Sequence, residues 1–314
     1  MQWGQIKTLF ILCFLILNIF LLRQFITGQE EEYAAAPDVE VNLQDNLSGL
    51  EDVPESPKEA SMLYAKRKEI TEEDIKELEG LENQEIVVVD HHLILSQLDK
   101  PVPFDIEETE ENIRTHIWND ESYNFEDYSL DTDTNTYIFF QKIEEPIFYN
   151  QSGALLVRVN DKGEMTHYVQ TMLEKAEEQE EETYGVQEPL TIITNLFEKG
   201  NIISGATISD VTFGYQNLLP LPDGVQVLTP TWEIEVNDAN YFYANAIEGH
   251  ILTRDEKSFV VEMNKTIQNY TLTQKNTLRP LNEELDADDA AMLINTWLQN
   301  METTNGVKTD DTTL

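Results

Sequence analysis

The sequence predicts an α+β protein in which one N-terminal transmembrane helix precedes two similar extracellular modules, each an antiparallel sheet with a packing helix. Residues 9–26 form the only apolar run in the sequence with the length and composition of a transmembrane segment. Downstream, a helical pattern followed by several strand patterns occurs twice. In each copy an Asn-Asp pair, at 160–161 and at 237–238, separates two strands, which is typical of a β-hairpin. The repeat therefore predicts the two modules.

The apolar run is long enough to cross a membrane. Counted from Ile6 it supplies about 20 residues, which as a helix span the ~30 Å hydrocarbon core of a bilayer. The membrane-flanking residues are Trp3 and Lys7 before the run and Arg23 near its far end. Because Lys7 precedes the run and glutamates 30–32 follow it, the positive-inside rule places the N-terminus in the cytoplasm. The run exceeds the 7–15 apolar residues typical of a cleaved signal peptide. We therefore expect an uncleaved signal anchor, a single-pass cell-membrane location and an extracellular bulk.

One polar residue within the span predicts a contact surface. Asn18 falls in a stripe of residues at three- and four-residue spacing, which share one helix face. The stripe consists of Ile11, Phe14, Asn18, Leu21 and Phe25. A buried amide needs a partner in the membrane. The Asn18 amide either bonds to its own backbone or to another transmembrane helix, and the second alternative makes the stripe a partner-binding face.

Composition excludes some classes of partner. Sixty acidic against 20 basic residues give a formal charge of −40, which is the wrong sign for binding nucleic acid or anionic lipid. Cys13 is the only cysteine and lies in the span, so no intrachain disulfide forms. Folding must then rest on a hydrophobic core.

Changes in composition along the chain define the expected domains. They are a cytoplasmic tip and transmembrane helix (1–27), an acidic flexible stalk (28–57), a first α+β module (58–176), an acidic linker (177–187), a second α+β module (188–270), and a C-terminal helix with a polar tail (271–314).

Three helices are predicted within this region. The first covers 71–81, with Thr71 as N-cap and Asp74 as a weaker substitute for the capping-box glutamate. The second covers 106–118, and the third covers 189–199 with Pro189 as its first residue. A further helix is expected over 288–300.

Strand patterns occur around 85–89, 137–140, 154–159, 166–173, 207–215, 225–228, 231–236 and 241–247, and residues 91–95 are expected to continue in extended form. Alternation from Trp232 to Val236 places Glu233 and Glu235 on the solvent face of its strand, opposite a face that the third helix covers.

The residues suggest no catalytic, metal or cofactor site. Asp131, Asp133 and Asn135 begin like a calcium loop, but Thr136 and Lys142 occupy the positions that require Gly and Glu. His91 and His92 on a strand would point to opposite faces and could not bind one metal ion together. We found neither a nucleophile motif nor a Gly-rich phosphate loop, so no small-molecule substrate is identified and an enzyme is not expected.

Short motifs at both ends resemble those of a known family. They are Trp3-Gly4, Lys7-Thr8, residues 14–18, Gly214-Tyr215, Thr229-Pro230-Thr231-Trp232 and Asn245-Ala246 followed by Gly249. In these the chain resembles the YycI (WalI) family of Gram-positive bacteria. The resemblance implies a non-catalytic regulator of the WalK (YycG) sensor kinase, which acts with a YycH-like protein through transmembrane helices and controls cell-wall metabolism signalling. Arg23, the acidic stalk and the tail after Thr253 depart from the family pattern.

A second function from a different class stays open. Sheet-plus-helix modules could form an exported binding module for a cell-wall ligand or a peptidase. This hypothesis predicts a function that survives removal of residues 1–27.

Overall fold

Strands dominate the described part of the chain, which is a mixed α+β protein. The computed structural model describes residues 7, 10–20, 43–104, 113–176, 182–217, 224–252, 255–273, 277–281 and 285–302. Two compact units divide the chain, Met1–Asn46 and Leu47–Leu314. The first unit contains helix α1 (10–20) and the short helix α2 (Leu43–Asn46).

The second unit contains sixteen described strands and four longer helices. The helices are α3 (Glu72–Leu78), α4 (Pro189–Glu198), α5 (Glu256–Thr273) and α6 (Ala287–Glu302). The strands are β1 (Glu59–Ser61), β2 (Leu63–Arg67), β3 (Gln84–Val89), β4 (Leu93–Pro103), β5 (Tyr123–Asp131), β6 (Thr136–Lys142), β7 (Pro146–Ile147), β8 (Ala154–Val159), β9 (Glu164–Thr171), β10 (Leu173–Lys175), β11 (Thr183–Gly185), β12 (Ile208–Gln216), β13 (Gln226–Val236), β14 (Asn240–Asn245), β15 (Ile251–Leu252) and β16 (Leu278–Pro280).

Fourteen of these strands form one sheet, in the order β10-β2-β13-β12-β7-β6-β8-β9-β4-β3-β16. Strand β5 pairs with β6, β14 pairs with β13, and β15 pairs with β14; β1 and β11 form a separate two-stranded sheet. The two predicted modules therefore share a sheet, and their arrangement as two similar modules is not confirmed. The repeat in the sequence specifies the hairpins, but it does not specify which strands of the two modules pair with one another at the edges of these hairpins.

A short parallel contact joins the two halves of the main sheet. Ile147 in β7 is opposite Tyr215 in β12, and the Phe148 amide donates to the Tyr215 carbonyl over 2.8 Å. Gly214 makes this approach possible, because a Cβ atom there would lie 2.5 Å from Phe148 Cε2 and 2.6 Å from the Pro146 carbonyl oxygen. The junction therefore has no room for a side chain at this position.

The predicted capping box of α3 is confirmed. The Thr71 hydroxyl accepts a hydrogen bond from the Asp74 amide at 3.3 Å, and the Asp74 carboxylate accepts one from the Thr71 amide at 2.8 Å. Ile75 and Leu78 are buried on the apolar face of the helix. The predicted helix at 106–118 falls largely on residues 105–112, which lie outside the described residues; 113–114 are helical.

Both predicted hairpins are confirmed, with β8 paired to β9 and β13 paired to β14 in antiparallel register. Asn237 and Asp238 have φ of 57° and 53°, as a tight turn between strands of right-handed twist requires. Helix α4 begins at Pro189 as predicted, and the indole N–H of Trp232 donates to the Gln187 carbonyl just before it, over 3.0 Å.

The expectation that residues 91–95 continue a strand is wrong for the first two of them. Asp90 and His91 have φ of 50° and 58°, and residues 90–92 form the turn between β3 and β4. The His92 Nδ1 atom lies 3.0 Å from the Lys68 carbonyl oxygen. Asn, Asp and His adopt this left-handed conformation more readily than most residues, which is the local reason for the turn.

Helix α5 has no counterpart in the sequence-based prediction. Its buried face, Phe259, Val260, Met263 and Ile267, packs in one core with residues of β3, β4, β6 and α6. Strand β16 pairs with β3. Residues after 253 thus complete the core of the first half, while the domain boundaries themselves stay a prediction.

Part of the predicted stalk is packed against the second unit's sheet. Leu47 is buried, and Ser48 forms a parallel bridge with Thr207. The Ser48 and Thr207 hydroxyl oxygens are 2.8 Å apart. The remainder of the predicted stalk from 28 to 42 lies outside the described residues.

Candidate functional site

Helix α1 carries the described part of the predicted partner-binding stripe. Ile11, Phe14 and Asn18 lie on this helix. Leu21 and Phe25 of the stripe lie outside the described residues, as do the flanking residues Trp3 and Arg23. Lys7 is helical and exposed. The stripe as a contact surface stays a prediction.

The Asn18 amide has a local partner. Its Nδ2 atom donates to the Phe14 carbonyl oxygen, four residues earlier, over 3.0 Å. This bond is the backbone alternative that the sequence left open. It uses one of the two N–H groups of the amide, which also has a carbonyl acceptor.

Apart from Asn18, the surface of α1 is apolar on every side. Its large apolar residues are between 51% and 73% exposed, with Leu17 and Phe10 at the two limits. A helix that is hydrophobic all round requires apolar surroundings. Within the described ranges, no helix combines the length and the apolar character that crossing a bilayer demands.

A second candidate site lies inside the second unit, where acidic and phenolic side chains from three strands meet. We call Asp127, Glu233 and Tyr243 the acid cluster. Glu233 on β13 is 4% exposed and lies directly opposite Tyr243 on β14, which is 1% exposed. The Tyr243 hydroxyl donates to Glu233 Oε1. Asp127 on β5 lies near enough for its charge to act on Glu233.

Tyr149 extends this cluster towards α5. Its hydroxyl lies 3.0 Å from Ser129 Oγ on β5 and donates to Glu256 Oε1 on α5 over 3.1 Å. The Tyr149 ring meets the Tyr243 ring edge-on, with centroids 5.2 Å apart. A continuous polar path therefore runs from β5 to the first turn of α5 inside an otherwise apolar core.

Burial and neighbouring negative charges raise the pKa of all three residues of the acid cluster. Burial, and then the neighbouring Asp127, raise the pKa of Glu233 well above its ordinary value. Burial, followed by the charges of Asp210 and Glu235, raises the pKa of Asp127. Burial and the Glu233 charge also raise the pKa of Tyr243. The site therefore favours protonated carboxyl groups.

The prediction that Glu233 faces solvent is wrong, because residues distant in the sequence cover its side chain. The alternation on β13 is as predicted, but the face that was expected to be wet is covered. There Tyr243 lies opposite Glu233, and the ring of Tyr149, whose hydroxyl contacts Ser129 of β5, packs against Tyr243. Sequence analysis missed Asp127, Tyr149 and Tyr243. The pairing of Glu233 with Tyr243 could have been found, because the Asn237-Asp238 turn sets the register of this hairpin.

The calcium-like motif forms an ordinary hairpin turn. The Asp131 carboxylate accepts from the Thr134 hydroxyl at 2.5 Å, and Asp133 pairs with Lys257. The Asn135 amide donates to the Val159 carbonyl over 2.9 Å. Across the part of the chain that the structure describes, no group of three or more His, Cys, Asp or Glu side chains is arranged to hold a metal ion.

The motif residues near the end of the second half have structural contacts. Asn245 Oδ1 accepts from the amides of Ile247 and Glu248, at 2.9 and 3.0 Å, and so closes the turn after β14. Gly249 completes the turn at φ 73°, where a Cβ atom would lie 2.7 Å from Gln187 Oε1. These residues hold the corner between β14 and the start of α4.

Comparison with known proteins assigns the family. A family model described as YycI protein matches residues 29–247, more than half of the 314 residues. No individual curated protein matches the chain. YycI is a regulatory family and not a known enzyme family, and membership indicates a role in regulation of the WalK/YycG two-component system. On the extent of this match and on the motifs that form the β14 corner, the chain belongs to the YycI family.

Proposed function

We propose that this protein is a non-catalytic, single-pass membrane regulator that binds the WalK (YycG) sensor histidine kinase together with a YycH-like protein. Residues 9–26 cross the membrane, the N-terminus is cytoplasmic and residues 47–314 are extracellular. Contacts of the transmembrane helix transmit the regulation of cell-wall metabolism signalling. The observation that carries this proposal is the exposed surface of α1, which is apolar except at Asn18.

The physical argument starts from topology. A protein whose bulk lies outside the cell can affect a cytoplasmic response regulator only through a path across the bilayer. In this chain the apolar N-terminal helix is the segment that can provide such a path, because a helix satisfies its own backbone hydrogen bonds within the bilayer. Interhelical hydrogen bonds in membranes are worth only ~0.6–2 kcal/mol, so Asn18 would select a partner rather than hold it alone.

The decisive experiment exchanges the span. Residues 9–26 are replaced by an unrelated apolar helix of equal length, while the rest of the chain is kept. We expect co-purification with the kinase and the YycH-like protein to fall. Transcription that depends on WalR, the response regulator of the WalK/WalR two-component system, should change. Membrane fractionation controls for insertion. Unchanged binding with unchanged transcription would overturn the proposal.

The same assay separates the alternative of an exported binding module. A secreted Leu47–Leu314 fragment keeps the buried Leu47 and the bridge between Ser48 and Thr207, which a fragment beginning at Ser56 would lose. If this fragment restores normal signalling in cells that lack the protein, regulation does not need the helix. That outcome would favour capture of a cell-wall ligand or peptidase outside the cell.

A further inference from the structure

The stripe that begins on α1 has the spacing of a helix pair. Its five residues follow one another at intervals of three, four, three and four positions. This is a period of 3.5 residues, which keeps one face of a helix against a neighbouring helix along a left-handed supercoil. The described part of this face is an open groove, lined by Ile11, Phe14, Leu15, Asn18 and Ile19. The stripe therefore has both the repeat and the shape of a helix-pairing seam.

The span lacks the small residues with which many transmembrane helices approach each other closely. Residues 9–26 contain no Gly, Ala, Ser or Thr, so close packing through a small-xxx-small motif is excluded. Asn18 lies near the centre of the span, where its amide is the side chain that forms strong hydrogen bonds. Contacts along the stripe must therefore come from large apolar side chains and from this amide.

The Asn18 amide keeps one donor and one acceptor for a neighbour. Its Nδ2 atom carries two N–H groups, one of which donates to the Phe14 carbonyl oxygen over 3.0 Å. Within the described residues Asn18 is exposed, and its second N–H and its Oδ1 atom have no hydrogen-bond partner. Hydrocarbon supplies neither donors nor acceptors, so each of these groups is costly to leave unpaired in a bilayer. The amide therefore requires a neighbour that both donates and accepts.

A second copy of this chain meets that requirement. All inserted copies have the same orientation, so Asn18 lies at the same depth in each, and two parallel helices that meet along the stripe bring amide to amide. Around a two-fold axis, each amide donates its second N–H to the Oδ1 atom of the other, which pairs both donors and both acceptors. An Asn at a seam position of this kind specifies the register of parallel helix dimers. A different membrane protein would need a matching polar group at this depth, whereas the second copy always carries one.

We propose that two copies of this chain pair through the stripe of their transmembrane helices, with reciprocal hydrogen bonds between the two Asn18 amides at the centre of the seam. The inference rests on the membrane span of the proposed function and names a second copy as the occupant of the stripe. The regulator then meets the kinase as a pair.

Disulfide cross-linking in membranes tests the pair, because the chain has a single cysteine. Cys13 lies on the helix outside the stripe, so the wild-type chain is a control. In a Cys13→Ser background, Ile11→Cys and Phe14→Cys place the thiol in the seam, and Ile16→Cys places it on the opposite side of the helix. The full-length proteins are produced in a bacterial host that has neither the kinase nor a YycH-like protein. Isolated membranes are then oxidised with copper phenanthroline.

Two further proteins combine Phe14→Cys with a change at the amide. Asn18→Leu removes the amide. Asn18→Leu together with Ile16→Asn keeps an amide in the span but moves it to the side of the helix that faces away from the seam. This second protein separates the position of the amide from its mere presence in the membrane.

We expect a product of twice the chain mass with Ile11→Cys and Phe14→Cys, and much less of it with Cys13 or Ile16→Cys. Both amide changes should lower the dimer association constant by about 3- to 30-fold, measured from the cross-linked fraction over a series of expression levels. Equal cross-linking at all four positions, or cross-linking that neither amide change reduces, would overturn the pair and leave the span intact. A chain that alkaline extraction releases from the membrane would overturn the span, and the pair with it.

Discussion

Replacing Gly214 with alanine should destabilise the junction between the two halves of the main sheet. The new Cβ atom would lie 2.5 Å from Phe148 Cε2 and 2.6 Å from the Pro146 carbonyl oxygen, whereas ordinary contacts are 3.4–4 Å. The second neighbour is backbone, so relief requires β7 to move away from β12. That movement would disturb the bond between the Phe148 amide and the Tyr215 carbonyl.

The magnitude follows from overpacking a tight site. Such insertions cost about 1–3 kcal/mol, and the backbone neighbour places this one in the upper half of the range. Alanine also restricts the unfolded chain, which stabilises by about 0.4–1 kcal/mol and offsets only part of the loss. We expect a net loss of about 2 kcal/mol, or a decrease of about 4–8 °C in Tm for a unit of this size.

Urea denaturation of the full-length chain in detergent micelles, followed by circular dichroism, measures this change. Gly185→Ala is the matched control, because a Cβ atom at Gly185 would meet nothing within 4 Å. Its free energy of unfolding should stay within about 0.5–1 kcal/mol of the wild type. If Gly214→Ala unfolds at the same urea concentration as Gly185→Ala, the close packing of the junction is refuted. A split into two transitions in the Gly214 variant alone would show that the halves can unfold separately.

Three further predictions test other parts of the chain. Thr71→Ala removes the hydroxyl that caps α3 and should lower the free energy of unfolding by ~1 kcal/mol, whereas Thr71→Ser should restore it; equal urea midpoints for all three proteins would contradict the cap. Asn18→Leu should improve membrane insertion but weaken WalR-dependent regulation, while Ile16→Leu outside the stripe should change neither; unchanged regulation would reduce the span to a tether. Because burial and Asp127 raise the pKa of Glu233 above its ordinary 4.5, the folded state binds this proton more tightly than the unfolded chain. The wild type should therefore be most stable below about pH 4.5 relative to Glu233→Gln, and its relative free energy of unfolding should decrease as pH rises towards the raised pKa; parallel profiles of the two proteins would exclude the effect.

Local signals predicted the local elements. The hydroxyl and carboxylate at Thr71 and Asp74 specify a helix start, Pro189 specifies another, and Asn-Asp pairs specify the hairpin turns. Helix α5 was also within reach, because Phe259, Val260, Met263 and Ile267 recur at helical spacing. Each of these features depends on residues that are close together in the sequence, which is why it can be predicted from a single sequence.

The candidate site depended on contacts that local patterns do not contain. Glu233 alternates with Trp232 and Ile234, and this pattern describes an exposed acid equally well. Its burial follows from distant parts of the chain, such as Tyr149, whose ring packs against Tyr243, the residue directly opposite Glu233.

The sequence by itself determined the apolar helix at the N-terminus, the acidic composition, the hairpins and the family motifs, because each is written in residues close together along the chain. Tertiary structure alone decided that the two halves share one sheet through Gly214, and that C-terminal residues complete the core of the first half. It also decided that Glu233 is buried opposite Tyr243, while Asp127 nearby stays partly exposed. Each of these depends on which distant surfaces exclude water from one another, and that choice is made only when the whole chain packs.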